Sequence, residues 1–195
     1  MAKKKVAKVV VKKKRWVTVL APKLFNERDI GEMHVEDPQS AVGRKLTVSM
    51  ATITGEPRKQ NTMVKFLISR FAGEKLMTEI IGYRLNTAAT KRMIRRNRSK
   101  IDDSIVYKTA DEKKVRVKPM IITRNKMQSG AKGEIRRLMK DFLAKNIVKL
   151  NYEQLMREIV LGKFQKAMHE TVKKLCPLAG SEIKNIELIM PKKIS

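Results

Sequence analysis

Lysine and arginine are the side chains of this sequence with the clearest chemistry, because they occur in three groups that could each bind phosphate. The first group lies in residues 1–28, which contain ten lysine or arginine residues and one acid, Glu27. Like charges at this density repel one another, so we expect residues 1–14 to form a basic, partly flexible arm. Such an arm is either a solubilising tail or a segment that becomes ordered against phosphates. Its candidate phosphate-binding residues are Lys3, Lys4, Lys5, Lys12, Lys13, Lys14 and Arg15.

The second group runs from Arg84 to Lys100 and has seven lysine or arginine residues and no acid. Residues 87–99 are expected to form a helix capped by Asn86 or Thr87, with cations on the side opposite an apolar stripe. Cations four residues apart destabilise an isolated helix, and nothing within the segment balances them. An external anion would relieve this repulsion, which favours binding over a plain solvated face. The candidates are Arg84, Lys91, Arg92, Arg95, Arg96, Arg98 and Lys100.

The third group lies on a predicted β-hairpin whose turn is at Asp111 and Glu112. In its second strand, Val115 and Val117 alternate with cations, so the valines face one side of the sheet and the cations face the other. These cations are Lys114, Arg116 and Lys118. Three separate elements therefore each present a cationic face, which indicates a polyanionic partner of extended shape.

A short glycine motif, Gly130 to Gly133, precedes an amphipathic helical pattern. It matches the GXXG loop with which KH domains hold a nucleic-acid backbone, but the strand expected at Ile121 and Ile122 is not the helix that a KH domain requires. We favour a simpler phosphate site, formed by the free N–H groups at a helix start beside Lys132. Arg124 and Lys132 complete the set of candidate residues.

The overall composition agrees with a polyanionic partner and argues against other classes of function. The chain has 195 residues, with 45 lysines and arginines against 19 acids, a formal net charge of +26 and 42% hydrophobic residues, enough for a folded core. No apolar run is long enough for a transmembrane helix, and the N-terminus lacks the apolar stretch of a secretory signal. We therefore expect no membrane partner. The one cysteine, Cys176, allows no internal disulfide, fits a reducing cytosol and should be buried.

Catalytic and cofactor sites are not expected. The sequence contains no glycine-rich nucleotide-binding motif. Its two histidines, His34 and His169, are too few for a zinc site with several ligands, so no metal, no other cofactor and no small-molecule substrate is predicted. The adjacent acids Asp102 and Asp103 would point to opposite faces of a strand, which is a poor geometry for a carboxylate pair. We expect no enzymatic activity, and a nuclease that uses these two acids with a divalent ion is the enzymatic alternative.

The first elements predicted along the chain, which must position these residues, are β-strands. Residues 15–21 and 44–50 have the β-branched or alternating patterns of strands, and residues 63–85 predict two strands joined near Gly73. Trp16, in the first of these strands, is expected in the core, and stacking on an unpaired base is the alternative.

After Arg124 the apolar period becomes helical. Residues 135–143 follow the spacing of an amphipathic helix. Asn151 and Gln154 have the pattern of a capping box that opens a further helix, which Gly162 should interrupt.

The last predicted element is a returning strand in residues 181–193. The predicted fold class is therefore α+β, with a curled, mostly antiparallel and barrel-like sheet in the first two thirds of the chain, helices in the last third and a closing C-terminal strand. Since no linker interrupts the pattern, residues 15–195 are expected to form a single domain.

Several short motifs, none of them specific alone, follow one another between residues 13 and 190. They are Lys14-Arg15-Trp16, Ala21-Pro22 with Phe25, Gly31, Gly43-Arg44, Thr78 with Ile81-Gly82, Arg92-Met93-Ile94-Arg95-Arg96, Ser99-Lys100-Ile101, Val115-Arg116-Val117-Lys118-Pro119 and Ile122-Thr123. Their order and spacing resemble the archaeal and eukaryotic small-subunit ribosomal protein family S-one-e, also called S-three-A-e. The compact length is similar to that of archaeal members.

The resemblance implies a structural constituent of the small ribosomal subunit, without enzymatic activity, in the cytoplasm. It implies binding to ribosomal RNA on the platform, near the messenger exit and the 3′ end of the small-subunit RNA. Implied partners are this RNA and neighbouring platform proteins of the S-eleven type, and contact with messenger RNA is left open. Because phosphate contacts are largely independent of sequence, a free nucleic-acid-binding protein that compacts DNA is the alternative.

Overall fold

The computed structural model describes residues 13–190, which form nine β-strands and five α-helices. The first half contains β1 (Arg15–Leu20), β2 (Asp29–Val35), β3 (Lys45–Ser49), α1 (Met50–Thr54), β4 (Thr62–Ala72) and β5 (Lys75–Leu85). The middle contains α2 (Thr87–Met93), β6 (Lys100–Asp102), β7 (Ile105–Lys108) and β8 (Lys114–Thr123). The C-terminal third contains α3 (Ser129–Ile147), α4 (Tyr152–Val160), α5 (Lys163–Lys173) and β9 (Leu178–Leu188). The α+β class, the C-terminal helices and the closing strand are confirmed.

Three other strands pair with β5, so this strand connects different parts of the sheet. β4 pairs antiparallel along one edge of β5. On the other edge, β1 runs parallel to residues 75–77 and β9 runs antiparallel to residues 82–84. β3 and β2 pair with β4 and β1, while β8 pairs with β9 and carries β6 and β7 on its far edge. Within the described chain the sheet is thus mostly antiparallel, as predicted, and it stays open instead of closing into a barrel.

Helices α3, α4 and α5 cover one face of the part of the sheet formed by β5, β9 and β8. Ile135, Met139 and Leu143 recur at the spacing of one helical side and are fully buried. They belong to one apolar cluster with Val115 and Val117 of β8. The apolar side of α3 that the sequence spacing predicts is therefore the surface that packs against the sheet.

Local signals at the helix ends also appear where the sequence predicts them. At the start of α4, the side-chain oxygen of Gln154 accepts the N–H of Asn151 at 3.4 Å, as in a capping box. Gly162, with a φ of 76°, separates α4 from α5 in the left-handed conformation that favours glycine. Cys176 is buried, as expected, and burial raises the pKa of its thiol.

Two strands are not predicted by the sequence patterns. β2 has the acids and the glycine of a loop, and it is a strand because it pairs along the length of β1. As an edge strand it needs few buried side chains, and Val35 is its one buried residue. β6, with three residues, is too short to have a pattern of its own and forms by pairing with β8.

Candidate nucleic-acid interface

The face of the sheet opposite α3, α4 and α5 carries the cations of the predicted hairpin, and we call it the outer face. Val115 and Val117 are fully buried against the helices. Lys114 and Arg116 alternate with them and are exposed, while Lys118 is partly exposed. The alternation predicted for this strand is therefore confirmed, since the valines and the cations occupy opposite faces.

Strand pairing extends this row of cations across neighbouring strands, because directly paired antiparallel residues have their side chains on the same face. Arg116 is opposite Glu187 of β9, and Lys118 is opposite Asn185. Asn185 is in turn opposite Arg84 of β5. Arg84, predicted from a different segment of the chain, therefore shares the outer face with the hairpin cations.

Two further cations of the outer face were not among the candidates predicted from the sequence. Lys65 on β4 is opposite Gly82 of β5, and Lys108 on β7 is opposite Lys114. The available signal is strand alternation, because Lys65 directly follows the buried Val64. That signal gives the face of Lys65 within its own strand, whereas the neighbours across the sheet depend on the pairing register.

The outer face contains an ion pair that spans β5. The Nζ atom of Lys65 lies 2.7 Å from Oε1 of Glu187, and Gly82 is the β5 residue between them. A Cβ atom on Gly82 would lie only 2.7 Å from the carbonyl oxygen of Ile186, so this close approach requires glycine. The hydrogen bond from Lys65 lowers the pKa of the Glu187 carboxyl, and the charge of Lys118 adds to the effect. Glu187 is therefore an ionised acid that is already paired within the protein.

Helix α2 covers one end of the outer face. Its residues Ala89 and Met93 pack against Met120 and Ile122 of β8. These two β8 residues flank Ile121, which belongs to the opposite, helix-covered core. The cations of α2 and of the turn after it consequently lie at the rim of the outer face.

Helix α2 begins as predicted and ends early. Asn86 caps it, because its side-chain oxygen accepts the N–H of Ala88 at 3.1 Å, and the last helical residue is Met93. The prediction of a helix over residues 87–99 is therefore wrong in its C-terminal half. Continuing the helix would have placed like charges four residues apart with no acid to offset them.

The cations beyond α2 lie in a turn and not on a helical face. Arg95 and Arg96 are exposed, and Asn97 has a left-handed φ of 63°. Arg98 reaches back to donate a hydrogen bond to the carbonyl oxygen of Met93 at 3.4 Å. The turn therefore keeps these arginines beside the end of α2.

The remaining candidate cations of this segment differ in whether another side chain of the protein contacts them. Lys91 and Arg92 are exposed on α2, and Arg92 also donates a hydrogen bond to Oδ1 of Asn61 at 2.8 Å. Lys100 on β6 forms an ion pair with Asp102, so its charge is partly compensated.

The candidates near the start of β1 lie far from this group. Lys13, Lys14 and Arg15 are exposed. β1 pairs with β5 from residue 75 onward, nine residues before Arg84. Arg15 lies three residues before Thr18, the β1 residue opposite Lys75, so at about 3.3 Å per residue it is about 40 Å from Arg84 along the strand direction.

Other candidates also lie outside the outer face. Arg124 is exposed directly after β8, and Lys132 is in the first turn of α3, on the helix-covered side of the sheet. The remaining arm candidates fall outside the described residues, and these are Lys3, Lys4, Lys5 and Lys12.

The prediction that Trp16 lies in the core is wrong, because its side chain is 67% exposed. Val17 and Val19 are the β1 residues that enter the core, and strand alternation puts Trp16 on the other face. There it stacks on His34 of β2, with ring centroids 4.7 Å apart and an angle of 23° between the planes.

The acids considered for catalysis are engaged in ion pairs. Asp102 pairs with Lys100, while the Asp103 oxygens lie 3.5 Å from Nε of Arg136 and 3.9 Å from Nζ of Lys140. Within residues 13–190, no three His, Cys, Asp or Glu side chains are grouped closely enough to hold a metal ion. Among the helices of the same range, none is both long and apolar enough to cross a membrane.

Comparison with known proteins decides the family. The ribosomal S3Ae family matches residues 2–191, almost the whole chain. The chain belongs to this family. A small ribosomal subunit protein eS1 from Methanobrevibacter smithii is 32% identical over 88% of this chain and 89% of its own length. Another eS1 from Archaeoglobus fulgidus is 33% identical over 90% of this chain and 84% of its own length.

Membership in the ribosomal S3Ae family confirms the resemblance inferred from the sequence motifs. The chain is thus a ribosomal protein of the small subunit, a structural constituent of the cytoplasmic ribosome and not an enzyme. The matching relatives named above are archaeal, in agreement with the archaeal character expected from the compact length.

Proposed function

We propose that this ribosomal protein binds small-subunit ribosomal RNA through the outer face of its sheet. The observation that supports the proposal is the strand register, which gathers cations from β4, β5, β7 and β8 on one face. The cations of α2 and its turn lie at the rim of that face. The proposed contact residues are Lys65, Arg84, Lys91, Arg92, Arg95, Arg96, Arg98, Lys100, Lys108, Lys114, Arg116 and Lys118.

The proposed mechanism is bridging of RNA segments by charge. Lysines neutralise phosphates as point charges, and arginines can donate to two phosphate oxygens at once. Cations from elements distant in the chain can therefore contact separate RNA segments and reduce the repulsion between them. Because α3, α4 and α5 fill the opposite side of this part of the sheet, RNA would approach from the outer face.

We further propose that the segment before β1 is a second attachment. In this proposal, residues 1–14 are an arm that engages phosphates, and residues 15–195 are the single domain that carries the outer face. Since Arg15 lies about 40 Å from Arg84 along the strand direction, the two attachments would contact different RNA segments. Arg124 and Lys132 are proposed only as additional phosphate contacts.

The proposed place in the particle is the platform, near the messenger exit and the 3′ end of the small-subunit RNA, beside a protein of the S-eleven type. The family supports this position, and two separated cationic regions suit a place where several RNA segments meet. Crosslinks from the outer face, mapped to nucleotides in purified subunits, would test it. Crosslinks confined to RNA of another region would contradict the position, and crosslinks to messenger RNA would answer the open question of messenger contact.

Competition during subunit assembly tests the RNA-binding proposal. We expect the triple variant Arg92→Glu, Arg95→Glu, Arg96→Glu to fold normally and to be incorporated less than the wild type when both are supplied together. The reason is that three favourable phosphate contacts become repulsive, while the apolar residues that hold α2 are unchanged. The measurement is the ratio of the two chains in subunits isolated by sedimentation.

A matched control has the same change in charge on the helix-covered side. Three exposed lysines of α5 serve for this control, namely Lys163, Lys166 and Lys173, each changed to Glu. Incorporation of the control at the wild-type level and exclusion of the α2 variant would support the outer face. Equal incorporation of both variants would contradict it, and a wild-type pool bound to DNA instead of the subunit would favour the DNA-compacting alternative.

A further inference from the structure

The indole ring of Trp16 is exposed to solvent on one side of the β-sheet. Its side chain is 67% exposed, although its neighbour Val17 is 4% exposed. One face of the indole ring stacks on His34, at a centroid distance of 4.7 Å. The large exposed fraction leaves the other face of the indole ring to solvent. The pair therefore forms a short aromatic stack with one open end.

The backbone around this stack is already ordered in the protein without a bound partner. Trp16 and His34 are directly paired residues of the antiparallel strands β1 and β2. Val17 and Val19 anchor β1 in the core, and Val35 anchors β2. A ring held in this way loses little conformational freedom on binding, which lowers the cost of stacking another flat ring on it.

The charges around the stack are divided between the two strands. Lys13, Lys14 and Arg15 precede Trp16 on the β1 side and are exposed. On the β2 side the exposed charged residues near His34 are acids, namely Glu32, Glu36 and Asp37. A phosphate chain would therefore be attracted along β1 and repelled from β2, which gives the stack a defined direction of approach.

We propose that the Trp16–His34 stack binds an unpaired nucleobase, with the base on the open face of Trp16 and its flanking phosphates beside Lys13, Lys14 and Arg15. This inference rests on the proposed RNA-binding function and adds a second kind of contact to it. Aromatic rings on a sheet surface with cations beside them are a recurrent way to hold single-stranded nucleic acid, because every base has a π-face. A base within a duplex is already stacked between its neighbours and cannot use the site.

Fluorescence of the full-length protein tests the proposal, because Trp16 is the one tryptophan of the chain. The probes are a single-stranded adenosine dodecamer and an RNA duplex of the same length, each also followed by the anisotropy of a terminal dye. We expect the single strand to quench the Trp16 emission in parallel with its binding. The duplex should bind to the cationic surface and leave the emission nearly unchanged.

A leucine variant of Trp16 separates stacking from general charge attraction. Stacking of one base is removed in W16L, so its affinity for the single strand should fall about tenfold, while its affinity for the duplex stays within about twofold of the wild type. Val148, which is 55% exposed directly after α3 on the helix-covered side of the sheet, provides the control. V148A should leave both affinities unchanged, and circular dichroism should show both variants folded.

The possible failures of the two proposals are distinguishable. Single-stranded RNA that binds with unchanged emission, or with equal affinity to W16L, would overturn the stacking site and leave the outer face untouched. Emission that responds to a lysine-rich peptide and not to RNA would overturn it in favour of a protein neighbour. Absence of binding to either RNA would overturn both this site and the proposed function.

Discussion

Lys65 on β4 and Glu187 on β9 are joined by an ion pair although β5 lies between their strands. Their charged atoms are 2.7 Å apart, and the residue of β5 beneath the pair is Gly82. Glycine permits the contact because it lets β9 approach closely, and a Cβ atom there would also lie 3.7 Å from the Cα and Cγ atoms of Glu187. The pair therefore ties three strands together on the face proposed to bind RNA.

Replacing Gly82 by alanine should lower the free energy of unfolding by about 1–3 kcal/mol. The added Cβ would lie 2.7 Å from the carbonyl oxygen of Ile186, and a backbone atom within a sheet cannot move away alone. Urea unfolding followed by circular dichroism measures the change.

A second glycine provides the control for this substitution. Gly133 in α3 has no atom within 4 Å of the position of a Cβ, and alanine is the better helix former by about 1 kcal/mol. G133A should thus be neutral or stabilising. A similar loss of stability in G82A and G133A would show that the close approach of β9 is not the cause.

The ion pair should make the stability depend on pH through Glu187. The pKa of this carboxyl is lower in the folded chain than its ordinary value of 4.5, so its ionised form is stabilised by folding. The contribution is present near neutral pH and is lost as the pH falls through the folded-state pKa.

Comparison of the wild type with E187Q isolates this contribution. Because the pair is partly exposed, E187Q should be less stable than the wild type by no more than about 1 kcal/mol near neutral pH. The difference should shrink well below pH 4.5, where both chains lack the charge. A difference that stays constant over this range would contradict the assignment.

Binding of RNA should weaken steeply with salt. If six phosphates are engaged, the logarithm of the affinity should fall with the logarithm of the salt concentration at a slope of about −4 to −5. The physical reason is the release of counterions from each neutralised phosphate. Filter binding of the full-length protein over a salt series measures the slope, and an affinity independent of salt would contradict a phosphate-based interface.

Removal of residues 1–12 should reduce this slope without changing the fold. The deleted segment contains five lysines, Lys3, Lys4, Lys5, Lys8 and Lys12. Each phosphate that the truncated chain no longer neutralises should make the slope shallower by about 0.7–0.9. A truncated chain with the wild-type slope and affinity would mean that the segment before β1 is not an RNA attachment.

Patterns with a local physical cause were predictable from the sequence. The alternation of Val115 and Val117 with cations assigned the two faces of β8, because the period of a strand is two residues. The spacing of Ile135, Met139 and Leu143 assigned the buried side of α3, because residues four apart lie on the same side of a helix.

Features that depend on distant neighbours were not predictable in this way. An aromatic residue in a β-branched strand usually packs inside, but in β1 Val17 and Val19 take the core positions and Trp16 is on the opposite, exposed face. The place of Lys65 beside Glu187 depends on the register of three strands that are far apart in the chain. The early end of α2 was missed because propensity favoured a longer helix, and the repulsion among its cations opposed it.

Because β9 pairs with both β5 and β8, the two parts of the sheet can join only when the last of the described strands has been synthesised. Until then, the edges of β5 and β8 expose unpaired N–H and C=O groups, a condition that promotes aggregation. The pairing of Tyr83 with Ile186, about a hundred residues apart, also slows folding through its cost in loop closure. The nascent chain is therefore most vulnerable to aggregation until β9 has paired, and a chaperone or RNA that covers these strand edges earlier would protect it.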